Sequence, residues 1–174
     1  MSDLERLIRT IPDFPTKGIQ FRDITPLLAD ASAFGEATEL MTAPWRGRGV
    51  AVVCAIESRG FIFGGVIAHN LGAGLVPIRK AGKLPAATQR LEYTLEYSSD
   101  ALEIHTDAIK AGQRVLLIDD VLATGGTASA AAGLVEMLGG TVTGVQVLIE
   151  LAGLKGRKLL EGREVRSLIT YEGD

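Results

Sequence analysis

VLLIDDVLATGGTA, Val115 to Ala128, is the stretch that decides the fold. Val115 to Ile118 is an unbroken apolar run of the kind found in strands buried on both faces. It ends in two adjacent carboxylates, Asp119 and Asp120. After Ala123, the turn Thr124-Gly125-Gly126-Thr127 opens a helical pattern from Thr127 to Leu138, with Leu134, Val135 and Leu138 on one stripe. Strand, turn and helix follow one another too closely for anything but a βα unit. Glycines allow successive backbone N–H groups to converge, a helix N-terminus adds partial positive charge, and threonine hydroxyls can donate. Together these suit a phosphate monoester. Neither GxxxxGK[ST] nor GxGxxG is present. The two carboxylates are poorly suited to face a phosphate but can accept hydrogen bonds from sugar hydroxyls, so the combination fits a ribose 5-phosphate.

The same alternation extends in both directions. VAVVCAI (50–56), LVPIR (75–79), RVLLIDD (114–120) and TVTGVQVLIE (141–150) read as buried parallel strands, and Gly60 to Leu71 as a crossover helix. This predicts an α/β sheet whose ligands gather at the carboxyl ends of its strands. Toward the N-terminus, Asp3 to Thr10 reads as a short amphipathic helix, stopped by the prolines at 12 and 15. FPTKGIQFRDITPLL (14–28) reads as irregular up to Pro26, where a second helix begins and runs to about Met41. One stretch breaks the alternation. Lys80 to Gln89 is too polar for a core element. Leu91, Tyr93, Leu95 and Tyr97 then alternate with Glu92, Thr94 and Glu96, a half-buried strand that would pair with a second at about Leu102 to His105. A long hairpin inside a small domain reads as a functional flap.

Composition sets the outer limits. The 174 residues suit one domain, are 47% hydrophobic and 22% charged, and carry a net charge of −3, which argues against a nucleic-acid binder held by phosphate contacts. Only 5% are aromatic, so the core must be built from aliphatic side chains. The 21 glycines exceed the usual share of about 7% and suggest backbone lying close to a ligand. The lone Cys54 reads as a small buried thiol. His69 and His105, far apart and without cysteine neighbours, give no transition-metal site. With no apolar run of signal-peptide or membrane-spanning type, the chain reads as soluble and cytoplasmic, with no membrane partner.

The 115–128 pattern resembles the binding motif of the type I phosphoribosyltransferases. FPTKGIQFRDITPLL (14–28), ESRGFIFG (57–64), IRKAGKLP (78–85), YTLEY (93–97) with LEIH (102–105), and LAGLKGR (151–157) are similar to the adenine-using members of that family, in the same order. The resemblance covers about Ile11 to Tyr171. It implies a single domain, residues 1–174, with a mostly parallel central sheet flanked by helices. It further implies a flexible β-hairpin flap at about 80–105 and an N-terminal base-binding hood at about 1–35. The implied reaction is purine salvage: adenine and phosphoribosyl pyrophosphate give AMP and pyrophosphate. Magnesium would be carried mainly by the substrate's own oxygens, with no protein metal ligand, and the enzyme would be a homodimer.

By resemblance, Glu96 and Arg59 serve catalysis, Glu96 managing a proton at N7 of the purine as N9 is glycosylated. Asp119, Asp120, Ala123, Thr124, Gly125, Gly126 and Thr127 hold phosphoribosyl pyrophosphate or AMP. Ser58, Arg59, Arg79, Lys80, Lys83 and Tyr97 hold the pyrophosphate, with Arg79 coming from a neighbouring subunit. Gln20, Phe21, Arg22 and Leu151 surround the adenine, Phe21 by stacking and Gln20 and Arg22 through their main chain. The peptide between Glu57 and Ser58 corresponds to a cis bond in relatives. Two positions depart from the family pattern: Gln20 replaces an apolar residue, and Ser98 stands where glycine usually follows the tyrosine. The residues alone also permit plainer readings: a solvated cationic face at 79–83, an exposed strand glutamate at 96, a core leucine at 151. A cation at position 59, however, opposes the dipole of the helix it would start and so suggests an anion nearby. Two other functions fit less well. A nucleotide-sensing regulator would need a basic surface, and an enzyme for another base would have only Lys155 to read an exocyclic oxygen.

Overall fold

The computed structural model describes residues 3–95 and 98–173. Glu96 and Tyr97, two of the residues singled out above, therefore lie outside the described residues. From the N-terminus the chain forms a two-stranded antiparallel ribbon, β1 (Arg9–Pro12) and β2 (Gln20–Asp23). The helices α1 (Thr25–Ala29) and α2 (Ala31–Thr42) follow, then β3 (Val52–Ile56), α3 (Gly60–Leu71) and β4 (Gly74–Lys80). The hairpin β5 (Thr88–Leu95) and β6 (Ser98–His105) precedes β7 (Arg114–Leu122), α4 (Gly126–Met137), β8 (Thr141–Leu151) and β9 (Val165–Tyr171). Seven strands make one sheet in the order β5-β6-β4-β3-β7-β8-β9. The β4–β3–β7–β8–β9 pairs are parallel, and the two pairs involving β6 are antiparallel.

Strand periodicity divides the core into two layers. Val52, Cys54 and Ile56 of β3 and Val115 and Leu117 of β7 face α4, where they meet Ala128, Ala131, Leu134 and Val135. Val53 of β3 and Leu116 and Ile118 of β7 face the other way, against Ala37 and Met41 of α2 and Phe63 and Ile67 of α3. The helix α3 lies unusually close to the sheet: a Cβ at Gly64 would fall 2.5 Å from that of Ala55, so only glycine fits there. All these side chains are buried, which explains why the central strands read as plain apolar runs. Among the described residues, no helix is long and apolar enough to cross a membrane.

Four details differ from the sequence reading. Instead of a helix over Asp3 to Thr10, there is a 3-10 turn at Glu5–Leu7, followed by β1. Leu4 and Ile8 are buried at helical spacing, but Ile11 pairs with Phe21 and Arg9 with Asp23, and this pairing draws the chain into a ribbon. The segment read as irregular thus contains β2. The second helix is broken at Asp30, whose extended backbone ends α1 and whose carboxylate accepts from Ala33 N at 2.9 Å to cap α2. Finally, β9 extends the sheet beyond β8, with Ile169 its buried residue. The hairpin is partly core: β6 pairs with β4 at Arg79↔Glu103 and Lys80↔Leu102, and Leu102 and Ile104 are buried.

Candidate active site at the carboxyl ends of the strands

A cavity of about 390 Å³ opens where β3 and β7 end. Its walls include Glu57, Ser58 and Arg59 from the β3–α3 turn, Lys80 from β4, Tyr93 and Asp100 from the hairpin, and Asp119, Asp120, Ala123 and Thr127 from the β7–α4 connection. A smaller hollow of about 140 Å³ lies against Thr124, Gly125 and Thr127 and shares Asp119, Ala123 and Thr127 with the larger one. The carboxylates at the end of β7 and the loop at the start of α4 thus lie side by side, as the sequence order requires.

Asp119 and Asp120 are both buried at the cavity floor, and Asp120 N donates to Asp119 Oδ1 at 2.8 Å. Burial pushes both carboxyls above the usual carboxylate range. Asp119 is pushed further by the Asp120 charge, whereas at Asp120 the Arg59 guanidinium opposes the shift. Arg59 Nε lies 2.7 Å from Asp120 Oδ2, an ion pair in which that buried oxygen has no hydrogen-bond donor among the described residues. Arg59 is also the N-cap residue of α3, so Asp120 is the anion that offsets the unfavourable helix dipole. The peptide between Glu57 and Ser58 is cis.

Around the phosphate-type loop, Gly125 has φ +86° and precedes α4 with no side chain capping the helix, and Ser129 N donates to Gly125 O at 2.9 Å. Thr127 Oγ1 lies 3.4 Å from the hydroxyl of Tyr93, which joins the hairpin to the loop.

The cations are already partnered. Lys80 Nζ is 2.9 Å from Asp100 Oδ2, and this pairing raises the ammonium and lowers the carboxyl. Arg79 Nε and Lys83 Nζ reach the buried carboxylate of Glu57 at 3.0 and 2.6 Å, and Lys80 N donates to it at 3.1 Å. Burial would raise Glu57, but the hydrogen bonds from Lys83, Lys80 N and Arg79 outweigh it and hold the carboxyl below its ordinary value. Arg79 and Lys83 therefore gather beside the cavity without lining it, whereas Lys80 does line it.

Of the residues expected around the base, Phe21 lies beside a residue that lines the cavity: the Arg59 guanidinium sits 5.0 Å from its ring centroid, and Phe14 meets it edge-on at 5.1 Å. Arg22 sends its side chain away, over the Tyr171 ring at 3.9 Å and to Thr10 Oγ1 at 2.6 Å. Gln20 is exposed and pairs with Pro12 in the ribbon. Leu151, at the end of β8, packs half-buried against the α2–α3 layer of the core and does not line either cavity. Glu57, Tyr93 and Asp100 were not singled out in the sequence. Tyr93 could have been, since it stands on the apolar side of the alternating strand. Nothing local marks Glu57 or Asp100 as the partners of distant cations.

A βα unit that carries paired carboxylates and a TGGT loop, facing a β3–α3 turn with an arginine, defines a class. Residues 36–169 match the family model described as the phosphoribosyl transferase domain. Relatives narrow the class. An adenine phosphoribosyltransferase of Caldanaerobacter subterraneus is 53% identical over 171 residues, covering 98% of this chain and 99% of the relative. The crystal structure of adenine phosphoribosyltransferase from Thermoanaerobacter pseudethanolicus superimposes with a TM-score of 0.95 at 53% identity, covering 97% of this chain and 98% of that one. The enzyme of Saccharomyces cerevisiae, solved with an imino-altritol bisphosphate and adenine, gives a TM-score of 0.89 at 39% identity, covering 95% and 96%. The chain belongs to the adenine phosphoribosyltransferase family.

Proposed function

We propose that this chain transfers the 5-phosphoribosyl group of phosphoribosyl pyrophosphate to N9 of adenine, forming AMP and releasing pyrophosphate. The observation that carries the reading is the pair of adjoining hollows, sharing Asp119, Ala123 and Thr127, that sets the acidic pair and the Ser58–Arg59 turn beside the Thr124–Gly125 loop. The yeast relative's adenine and bisphosphate ligands support the choice of substrates.

In this reading the 5-phosphate sits on the N–H groups of the loop at the start of α4, where the helix dipole favours an anion. Asp119 and Asp120 accept from the ribose hydroxyls. The bond between C1 and the diphosphate oxygen breaks, the N9–C1 bond forms, and the bonding electrons leave with pyrophosphate. Positive charge grows on the ribose and is stabilised by the two carboxylates, while Arg59, Lys80 and Lys83, with Arg79 of a neighbouring subunit by resemblance, receive the negative charge of the leaving group. Adenine loses one proton as it is glycosylated, and Glu96, by resemblance, manages that proton at N7. Tyr97, Phe21, Leu151 and the main chain of Gln20 and Arg22 keep the roles that the resemblance gives them. Magnesium would be carried mainly by the substrate's own oxygens and would offset charge on the diphosphate. A second copy of the chain completes the enzyme, as the resemblance implies.

Mixing the protein with magnesium, phosphoribosyl pyrophosphate and adenine, hypoxanthine, guanine or xanthine, and measuring pyrophosphate, tests the reading. Release with adenine alone is the expected result, and release only with an oxopurine would overturn the substrate assignment. Glu96→Gln should lower kcat by about a hundredfold or more while leaving the affinity for phosphoribosyl pyrophosphate nearly unchanged.

A further inference from the structure

The phosphate-type loop is moulded from behind by a second backbone. A Cβ on Gly125 would lie 2.3 Å from Gly156 O, and one on Gly156 would lie 2.2 Å from Ala123 O and 3.0 Å from Gly125 N. Two main chains thus touch with no side chain between them, one from the β7–α4 loop and one from the segment after β8. A loop that offers its N–H groups to a ligand cannot spend them on internal caps, and no side chain caps α4. Its shape must be set by what packs against its far side.

Gly156 is itself held firmly. Lys155 has φ +57° and turns the chain into the 3-10 helix Gly156–Leu160, whose Leu160 is buried. The next side chain, Arg157, makes a bidentate pair with the buried carboxylate of Glu150 at 2.7 and 2.7 Å and donates from Nη1 to Val165 O at 2.7 Å. Ser167 Oγ adds a bond to Glu150 Oε2 at 2.8 Å. A continuous path of polar and backbone contacts therefore runs from β8 and β9 through Arg157 and Gly156 to the loop.

We propose that Gly156 and Arg157 are positioning residues that fix the Ala123–Gly125 backbone for the 5-phosphate of the substrate. This rests on the function proposed above and touches neither base nor diphosphate. Calorimetric titration of the full-length protein with ribose 5-phosphate, AMP and pyrophosphate separates the possibilities. Gly156→Ala should weaken ribose 5-phosphate and AMP by about thirtyfold or more, leave pyrophosphate within about threefold, and raise KM for phosphoribosyl pyrophosphate more than it lowers kcat. Should that variant fail to fold, Arg157→Met, which leaves the backbones intact, should weaken the same two ligands by about fivefold to tenfold. Arg157→Lys should recover part of the loss. Equal losses for pyrophosphate and the 5-phosphate ligands, or no loss at all, would overturn the proposal. Wild-type protein that binds neither AMP nor ribose 5-phosphate would instead overturn the functional reading beneath it.

Discussion

On one side of the cavity, Ala123 to Thr127 is shaped by backbone against backbone, above two buried carboxylates. On the other, Arg59, Arg79, Lys80 and Lys83 are long side chains, each already paired with Asp120, Glu57 or Asp100. The first wall is held by close backbone packing between Gly125 and Gly156. In the proposed reaction the second would exchange partners, a diphosphate competing with carboxylates of the same charge for side chains that are 35% to 55% exposed. A preformed wall gives affinity and registration, whereas an exchangeable one lets a charged product leave again.

Breaking the preformed wall should have the largest effect. Asp120→Asn removes the anion beneath Arg59 and one acceptor for a ribose hydroxyl. Steady-state kinetics should show kcat/KM for phosphoribosyl pyrophosphate falling about a hundredfold, as for loss of a charged hydrogen-bonding partner in a buried site. A drop of less than threefold would reduce the acidic pair to a strand end.

Acting on the exchangeable wall should give a smaller effect, of opposite sign. In Glu57→Gln the carboxylate that holds Arg79 and Lys83 no longer competes with ligand. Pyrophosphate should then bind about threefold to tenfold more tightly at low salt, with the gain fading as salt is raised, because partly exposed pairs are worth little each. Weaker binding would show that Glu57 instead holds the two cations in their working positions.

Asp119 also acts on stability. Its folded pKa is raised by burial and by Asp120, so the group's contribution to stability is fully present below its unfolded value of about 3.8. That contribution is lost as pH rises through the folded value, which leaves a penalty at neutral pH. Asp119→Asn should therefore raise Tm at pH 7 by about 2–4 °C for each kcal/mol of penalty removed, while weakening substrate. Glu150 runs the other way. Arg157 and Ser167 lower its folded pKa, so its contribution is present above about 4.5 and is lost as pH falls through the folded value. Glu150→Gln should flatten the fall in Tm on acidification.

The same contrast explains what could be read from the chain beforehand. The central strands and the 115–128 unit were legible because burial on both faces and a glycine turn leave local marks. Thr127 and Asp120 had to lie together, since only a few residues separate them. The ribbon was not legible: Leu4 and Ile8 fit a helix as well as a turn, and pairing of Ile11 with Phe21 decides the matter at a distance. Nor was β9, where VRSLITY buries only Ile169. Glu57 was quoted within a motif without a role, because its partners stand 22 and 26 positions away. Gly156 was one glycine of many until its carbonyl was seen against Gly125.

The smallest effect belongs to the scaffold beneath the site. Cys54 lies in the middle of β3, two residues before Ile56 at the cavity edge, and is fully buried against the α4 layer. Burial pushes its thiol up to about 12, so at pH 8 almost none is thiolate and reagent has no path to it. A thiol-labelling assay should count no reactive group in the native protein and one per chain in denaturant. Cys54→Ala removes a small core atom and should cost about 1 kcal/mol of stability while leaving kcat and both KM values within twofold. Rapid labelling without denaturant would mean that β3 opens readily, and then the rigidity assigned to the preformed wall would have to come from the glycine contact and not from the sheet below it.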